Sequence, residues 1–345
     1  MAVSRRGTGR DGRPTLEQVA ARAGVGRGTV SRVINGSPRV SDRTRAVVQQ
    51  AIADLGYVPH RAARALAANR SDAIALVVPE GESRLFAEPY FSGIIRGVSL
   101  ELADTDIQLL LTLIRTPKER ARFAQYASGN RVDGVLLVSV HKDDPLPDQL
   151  AELGIPVVMN GRRSADERVP HVDCDNVGGA QQAVEHLIGR GRRTVATITG
   201  PLDMYAARCR LEGYREAIRA AGHEPDEDLI ASGDFSEEGG HAAMRRLLER
   251  RPSLDAVFCA SDLMAIGARR ALRELGRSIP EDVALVGFDD SSLAQHMDPS
   301  LTSVRQPMEG MGRAMTRTLL AEIANESLDQ PGLVLPTELV RRASS

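Results

Sequence analysis

Of the 42 arginines in this 345-residue chain, thirteen fall within residues 1–70, against four carboxylates (Asp11, Glu17, Asp42 and Asp54). That stretch carries +9, and with the whole chain at −2 the remainder carries −11. A guanidinium grips a phosphate or a guanine edge with two parallel N–H donors, so a basic head on an acidic body suits a polyanion at one end only. A second kind of chemistry is available to six of the eleven aromatic residues. Phe86, Tyr90, Phe91, Tyr205, Phe235 and Phe288 fall in loops or at element ends, where an aromatic face can stack on a sugar ring; each also suits a core. Asp173 and Asp175 have the spacing of a cation-binding pair, but no further ligand completes a loop.

Catalytic patterns are missing. The chain contains no G-x-S-x-G, no H-E-x-x-H, no G-x-x-x-x-G-K-[ST] and no histidine cluster with metal spacing. Gly24-Val25-Gly26-Arg27-Gly28 is not a phosphate loop, because no strand precedes it and no Gly-Lys-Ser/Thr follows. Cys174, Cys209 and Cys259 are too few and too scattered for disulfides or structural zinc, and are expected to be small core residues. No apolar run approaches ~18 residues and no leader is visible, so a cytoplasmic protein without a membrane span is expected. Binding rather than turnover follows, with no cofactor and no metal.

The head must position its arginines on helices. Residues 1–13 are polar and expected to be disordered. Thr15 and Gln18 read as a capping box ahead of Leu16, Val19, Ala20 and Ala23, and Gly24 stops that helix. A second helix runs from Arg27 through Val30, Val33 and Ile34 to the stop at Asn35-Gly36. A third is capped by Ser41, carries Ala46, Val47, Ala51, Ile52 and Leu55, and closes at Gly56. Two short helices joined by a glycine turn and backed by a third form a helix-turn-helix. Residues 59–70 follow with high helix propensity but too little length to hold a helix alone. Leu66 is the one large apolar side chain of that basic run.

Beyond residue 70, apolar runs alternate with amphipathic helices. Strands are expected at Ile74–Pro79, Ile107–Leu113, Val132–Ser139 and Ile155–Asn160, then at Thr194–Thr199, Leu229–Ser232, Ala256–Cys259 and Val283–Phe288. Two such sets make two parallel-sheet lobes, with a ligand cleft at the strand C-terminal ends between them.

Specific segments carry a family resemblance. In the head they are Thr15-Leu16-Glu17-Gln18-Val19-Ala20, Ala23-Gly24-Val25, Thr29 to Asn35, and Val40-Ser41 through Leu55-Gly56-Tyr57-Val58-Pro59. In the body they are Asp175-Asn176, Arg210-Leu211-Glu212-Gly213-Tyr214, Ser261 to Gly267, Val286-Gly287-Phe288-Asp289-Asp290 and Leu301 to Pro307. Together they resemble the LacI family of bacterial repressors. The resemblance implies an all-α helix-turn-helix head on an α/β body with the two-lobed, type I core of periplasmic sugar-binding proteins. It divides the chain into an arm (1–13), a DNA-binding domain (14–58), a hinge (59–70) and an effector-binding and dimerisation body (71–345). The first lobe is expected at about 71–161 and 292–329, the second at about 164–289 and 331–342.

The same resemblance assigns roles. The second helix enters the major groove, with Arg27 and Gly28 at the two variable base-reading positions and Arg32 at a base-edge position; Thr29 and Asn35 match phosphate contacts. Gly28 has no side chain, so Arg27 dominates the reading. Gly26 replaces the usual Ser. The hinge folds on DNA and inserts Leu66, with Ala63 beside it, into the minor groove, while His60 replaces the usual Asn. In the cleft, Arg210 and Asp289 match the most consistent effector contacts, a fixed donor–acceptor set for vicinal hydroxyls. Asn160, Ser261 and Gln306 join them, and Phe86, Tyr90 and Phe91 supply rings. Asn160 and Ser261 replace residues frequent in sugar responders.

The segment Arg84 to Phe91 and the head's Gly26-Arg27-Gly28 look most like the cellobiose-responsive repressors of cellulose-utilisation genes in actinobacteria. The expected protein is therefore a homodimeric repressor on palindromic double-stranded operator DNA, released by cellobiose or a cello-oligosaccharide. The segment Leu339 to Ser345 carries no leucine heptad, so a dimer rather than a tetramer is expected. A regulator answering to another sugar or a purine stays open, as does, from a different class, a transport sugar-binding protein.

Overall fold

The structure is a computed structural model that describes residues 14–34, 37–57, 70–326 and 330–345. The arm, Asn35 and the expected hinge with Ala63 and Leu66 lie outside the described residues. Two compact units divide the chain near Asp72.

The head is built on caps. Thr15 Oγ1 accepts from the Gln18 amide at 3.3 Å while Gln18 Oε1 accepts from the Thr15 amide at 2.8 Å, opening helix α1 (Leu16–Ala23). Gly24 ends it with φ +65°, a conformation open to glycine at no steric cost. Helix α2 (Arg27–Ile34) and helix α3 (Asp42–Leu55, capped by Ser41) close over a core of Val19, Val30, Val33, Val40, Val48 and Tyr57. On α3 the buried stripe runs through Val48 and Ala51, whereas Val47, expected inside, is 45% exposed.

The body holds two six-stranded sheets. The first has β1 (Ala73–Val78), β2 (Gln108–Leu113), β3 (Gly134–Leu137), β4 (Val157–Asn160), β5 (His171–Cys174) and β11 (Gly332–Leu335), in the order β2-β1-β3-β4-β5-β11, all parallel. The second has β6 (Val195–Thr199), β7 (Ile230–Ser232), β8 (Ala256–Cys259), β9 (Ala284–Asp289), β10 (Thr302–Arg305) and β12 (Glu338–Val340), in the order β7-β6-β8-β9-β10-β12. It is parallel except for the β10–β12 pair. Burial on both faces explains why most of these strands read as continuous apolar runs.

The lobe boundaries differ from expectation. Crossings expected near 161–163, 289–292 and 330 lie instead just after Cys174, just after Arg305, and between Leu335 and Glu338. The reason is four short strands that carry polar residues or sit at sheet edges, β5, β10, β11 and β12. Each adds to a sheet by backbone pairing that an apolar run does not announce.

Helices α4 (Glu82–Ala87) and α5 (Pro89–Leu102) follow β1, α6 (Pro117–Tyr126) follows β2, and α7 (Leu146–Glu152) follows β3. Helix α8 (Asn176–Gly189) opens the second lobe, α9 (Tyr205–Ala220) follows β6, α10 (Glu237–Arg250) follows β7, and α11 (Asp262–Glu274) follows β8. After β9 comes the short α12 (Ser292–His296); α13 (Met308–Ile323) returns to the first lobe, packing on α5 and β3–β5. Glycines let α5 and α13 meet at backbone distance: a Cβ on Gly97 would lie 2.2 Å from the Glu309 carbonyl oxygen, and one on Gly312 2.3 Å from that of Ile94.

Candidate functional site: the cleft between the lobes and the exposed face of helix α2

Strand ends from both lobes converge on one cleft. It encloses about 640 Å³ of atom-free space, partly open to solvent and within the usual range for small-molecule sites. Tyr90, Phe91, Asn160, Arg210, Ser261, Asp289 and Gln306 all line it.

Arg210, on α9, is 5% exposed, and its guanidinium is held on three sides. Nε donates to Asn176 Oδ1 at 2.8 Å, Nη1 donates to the Ala260 carbonyl at 2.6 Å, and the group lies 3.7 Å over the Phe288 ring. Its distance to Asp289 Oδ1 is 3.8 Å. Asp289 closes β9 with φ +115°, rare for a side-chain-bearing residue, and Ser139 and Phe235 line the same cleft with φ +56° and +66°. Such strain gathers where a side chain must be aimed rather than merely accommodated. Asp262 holds the turn after Asp289, accepting from Ser303 Oγ at 2.6 Å and the Ser291 amide at 2.7 Å. Burial pushes the carboxyls of Asp289 and Asp262 above the usual range, against the pull of Arg210 on the first and of Ser303 on the second.

Gln306 ties the chemistry to a crossing. Its amide nitrogen donates to Asp289 Oδ1 at 2.6 Å, and its oxygen accepts from Cys174 Sγ at 3.4 Å. Cys174 is therefore a core residue, as expected, that also lines the cleft, at the end of the strand that leaves the first lobe. Tyr90 donates to Asn160 Oδ1, Asn160 in turn donates to the Val172 carbonyl at 3.3 Å, and Phe91 backs Tyr90 edge-on at 5.3 Å. Ser261 caps α11, accepting from the Met264 amide at 3.3 Å, so its hydroxyl already has structural work.

Phe86 does not reach the cleft; it is 81% exposed. It sits two residues from Arg84 on α4, hence on the opposite helix face, and Arg84 takes the inward side. Asp173 and Asp175 do not face a common cation. Asp173 accepts from Arg162 at 3.1 Å and Asn176 at 2.9 Å, and Asp175 caps α8 through the Gly178 amide at 2.9 Å.

Sequence reasoning missed Arg84 and Glu88. Arg84 donates to Glu80 at 2.7 Å and Glu88 at 3.1 Å, and stands 5.7 Å from the centre of the Phe235 ring. Glu88 is 8% exposed; burial pushes its carboxyl up to about 7 against the pull of Arg84, with Asp289 adding to the rise. The i,i+4 spacing of Glu80, Arg84 and Glu88 was the available signal, and it reads as an ordinary solvated helix face.

At the cleft mouth the lobes touch. His141 Nδ1 lies 2.6 Å from Asp203 Oδ2, its Nε2 lies 3.6 Å from Glu80, and the Lys142 amide donates to the Asp203 carbonyl at 2.9 Å. Glu80 first, then Asp203, raise the His141 pKa to about 9, so the ring is charged at neutral pH.

In the head, α2 buries Val30 and Val33 and exposes Arg27, Gly28 and Arg32, with Thr29 half-buried. Arg27 pairs with an exposed Glu17 at 3.1 Å, and Arg32 Nε donates to the Gly28 carbonyl at 3.1 Å. A Cβ on Gly28 would meet nothing within 4 Å.

Comparison with known proteins agrees with both halves. Residues 15–60 match the model for bacterial regulatory proteins of the lacI family, and residues 184–345 match a periplasmic binding protein-like domain. The chain is 54% identical over 334 residues to the HTH-type transcriptional regulator CelR of Thermobifida fusca, covering 96% of this chain and 98% of the relative. The chain belongs to the LacI family. Other relatives include the ribose operon repressor of Escherichia coli (strain K12), 34% identical over 96% of this chain and 99% of the repressor. Among solved structures, a CelR–cellobiose complex is 52% identical with a TM-score of 0.77, covering 96% of this chain and all of that one. The lac repressor dimer bound to operator and the anti-inducer ONPF is 26% identical with a TM-score of 0.84, covering 96% and 99%. No helix among the described residues is long and apolar enough to cross a membrane.

Proposed function

We propose that this LacI-family chain is a cytoplasmic, homodimeric transcriptional repressor that binds a palindromic operator and is released by cellobiose or a short cello-oligosaccharide. The observation that carries the reading is the cleft. A fixed guanidinium and a strained carboxylate come together beside a tyrosine, within one chain that also bears a helix-turn-helix. Arg210, Asp289, Asn160 and Gln306 are the polar partners of the sugar hydroxyls. Tyr90, backed by Phe91, offers a ring face, and Ser261 shapes the wall. The similarity to a cellobiose-bound CelR supports the choice of sugar.

On DNA, Arg27 and Arg32 read base edges, Gly28 lets the helix approach closely, and Thr29 and Asn35 hold phosphates. Ala63 and Leu66 of the hinge open the minor groove, and two linked heads multiply their affinities. Effector draws the lobes together through the crossings at Gln306 and Cys174. Only a ligand that binds the closed arrangement better than the open one shifts the equilibrium.

The test is fluorescence anisotropy on an operator selected from a random duplex library, with and without ligand. Millimolar cellobiose or cellotriose is expected to release the duplex. Release by a purine or by ribose with no response to cello-oligosaccharides overturns the cello-oligosaccharide assignment. Failure to select any palindrome overturns the repressor.

A further inference from the structure

The cleft is rich in charge, yet its positive charge is already balanced by carboxylates. Three guanidiniums line it, and the protein engages each one. Arg84 is shared between Glu80 and Glu88, Arg162 is held by Asp173 at 3.1 Å, and Arg210 by Asn176, the Ala260 carbonyl and Asp289. Their flat faces are covered as well. Arg84 lies against Phe235, Arg162 against Tyr205 at 5.0 Å, and Arg210 against Phe288. An incoming anion would add negative charge beside guanidiniums that carboxylates already neutralise.

The carboxylates are arranged differently. Glu88, from the first lobe, and Asp289, from the second, are both buried and line the same cleft. The charge of Asp289 adds to the upward push that burial gives the Glu88 carboxyl. A sugar hydroxyl relieves this arrangement by donating to a carboxylate. A phosphate monoester, at −1.5 to −2 charges and with acceptor oxygens, aggravates it.

We infer that this cleft is a charge filter: it admits uncharged glycosides, rejects their phosphorylated and carboxylated forms, and Glu88 paired with Arg84 is the specificity-determining element of the filter. The inference rests on reading the cleft as the effector site. It also places the ligand in a reaction sequence. The sugar must be supplied by a step that leaves it uncharged, because a step that phosphorylates or oxidises it to an acid delivers a form the cleft refuses.

Calorimetric titration of the full chain at pH 7.5 with cellobiose, cellobiose 6′-phosphate and cellobionate tests it. Like-charge burial costing several kcal/mol predicts that both anions bind at least ~100-fold more weakly than cellobiose. In Glu88→Gln the gap between cellobiose and its phosphate should narrow by about tenfold or more, an expectation scaled from the same like-charge cost. An anion that binds the wild type within about threefold of cellobiose overturns the filter, a threshold well below 1 kcal/mol. An unchanged gap in a folded Glu88→Gln variant removes Glu88 from it. The wild-type ratio stands whether or not the variant folds. Should cellobiose fail to bind while ribose or adenosine binds, the cellobiose reading fails by itself. Ribose against ribose 5-phosphate, or adenosine against its monophosphate, then decides the filter by the same criterion.

Discussion

Arg210 faces Asp289 at 3.8 Å, not in a tight two-pronged pair, because its N–H groups are already directed at Asn176 and the Ala260 carbonyl and its face is laid on Phe288. The gap matters: a closed bidentate ion pair would have satisfied both partners, whereas this spacing leaves a fixed donor and a strained acceptor side by side for a diol. Gln306 holds Asp289 from the crossing side, so the ligand contact and the lobe hinge share one side chain.

Arg210→Lys should therefore be far from conservative. An ammonium keeps the charge but cannot hold Asn176, Ala260 and the Phe288 face at once. Leaving one buried partner unsatisfied costs ~1–3 kcal/mol, which predicts roughly a 5- to 150-fold loss of effector affinity. Titration calorimetry reads it, and an effector affinity equal to wild type would remove Arg210 from the site.

The pH dependence of stability follows from Glu88. Its pKa is raised in the folded chain, from an ordinary 4.5 to about 7. A raised carboxyl contributes stability that is present below pH 4.5 and is lost as pH climbs through 7, on the order of 3 kcal/mol across that window. Glu88→Gln stays neutral throughout. Relative to wild type, its melting temperature should be similar near pH 4.5 and higher at pH 8; a constant difference across that range contradicts the assignment.

His141 has the opposite chemistry with the same sign. Its pKa is raised from 6.5 to about 9, so its contribution is complete below pH 6.5 and fades as pH passes 9. The pair it makes with Asp203 bridges the lobes, so the loss falls on their closed arrangement. Side-chain nitrogen NMR should place the His141 titration well above that of an ordinary histidine. Glu80→Gln should lower it most and Asp203→Asn less, since Glu80 is the larger cause. A midpoint near 6.5 in wild type would refute the bridge.

Much of this was legible beforehand, for reasons that differ by region. The head announces itself because caps, glycine stops and apolar spacing are local signals, and Thr15, Gly24, Ser41 and Gly56 all act as read. Strand β5, His-Val-Asp-Cys, and β10, Thr-Ser-Val-Arg, carry too little apolar pattern to be seen, which moved the first two lobe crossings. Cleft residues came through where a distinctive segment marked them, as at Arg210, Asp289 and Gln306. Arg84 and Glu88 hid in a spacing common on solvated helices, and Phe86 misled because its ring type suggested a role that its helix face denies.

Base reading by α2 gives the last prediction, and Gly28 sharpens it. Arg27 is exposed and pairs with Glu17, itself exposed, a pairing worth little in water, so the side chain can leave for a guanine edge. Arg27→Ala should relax preference at one guanine-containing position by ~1–3 kcal/mol, read from a panel of single-base operator variants. An equal loss across the panel would make Arg27 a phosphate contact instead. Gly28→Ala asks a different question. The added methyl meets nothing within 4 Å in the free head, and alanine favours a helix over glycine by about 1 kcal/mol, so the isolated fold should gain stability. If α2 presses its backbone against the bases at this point, the same methyl should weaken operator binding while the melting temperature rises. A variant that is more stable and binds the operator as tightly as wild type would show that the helix does not approach the groove at Gly28.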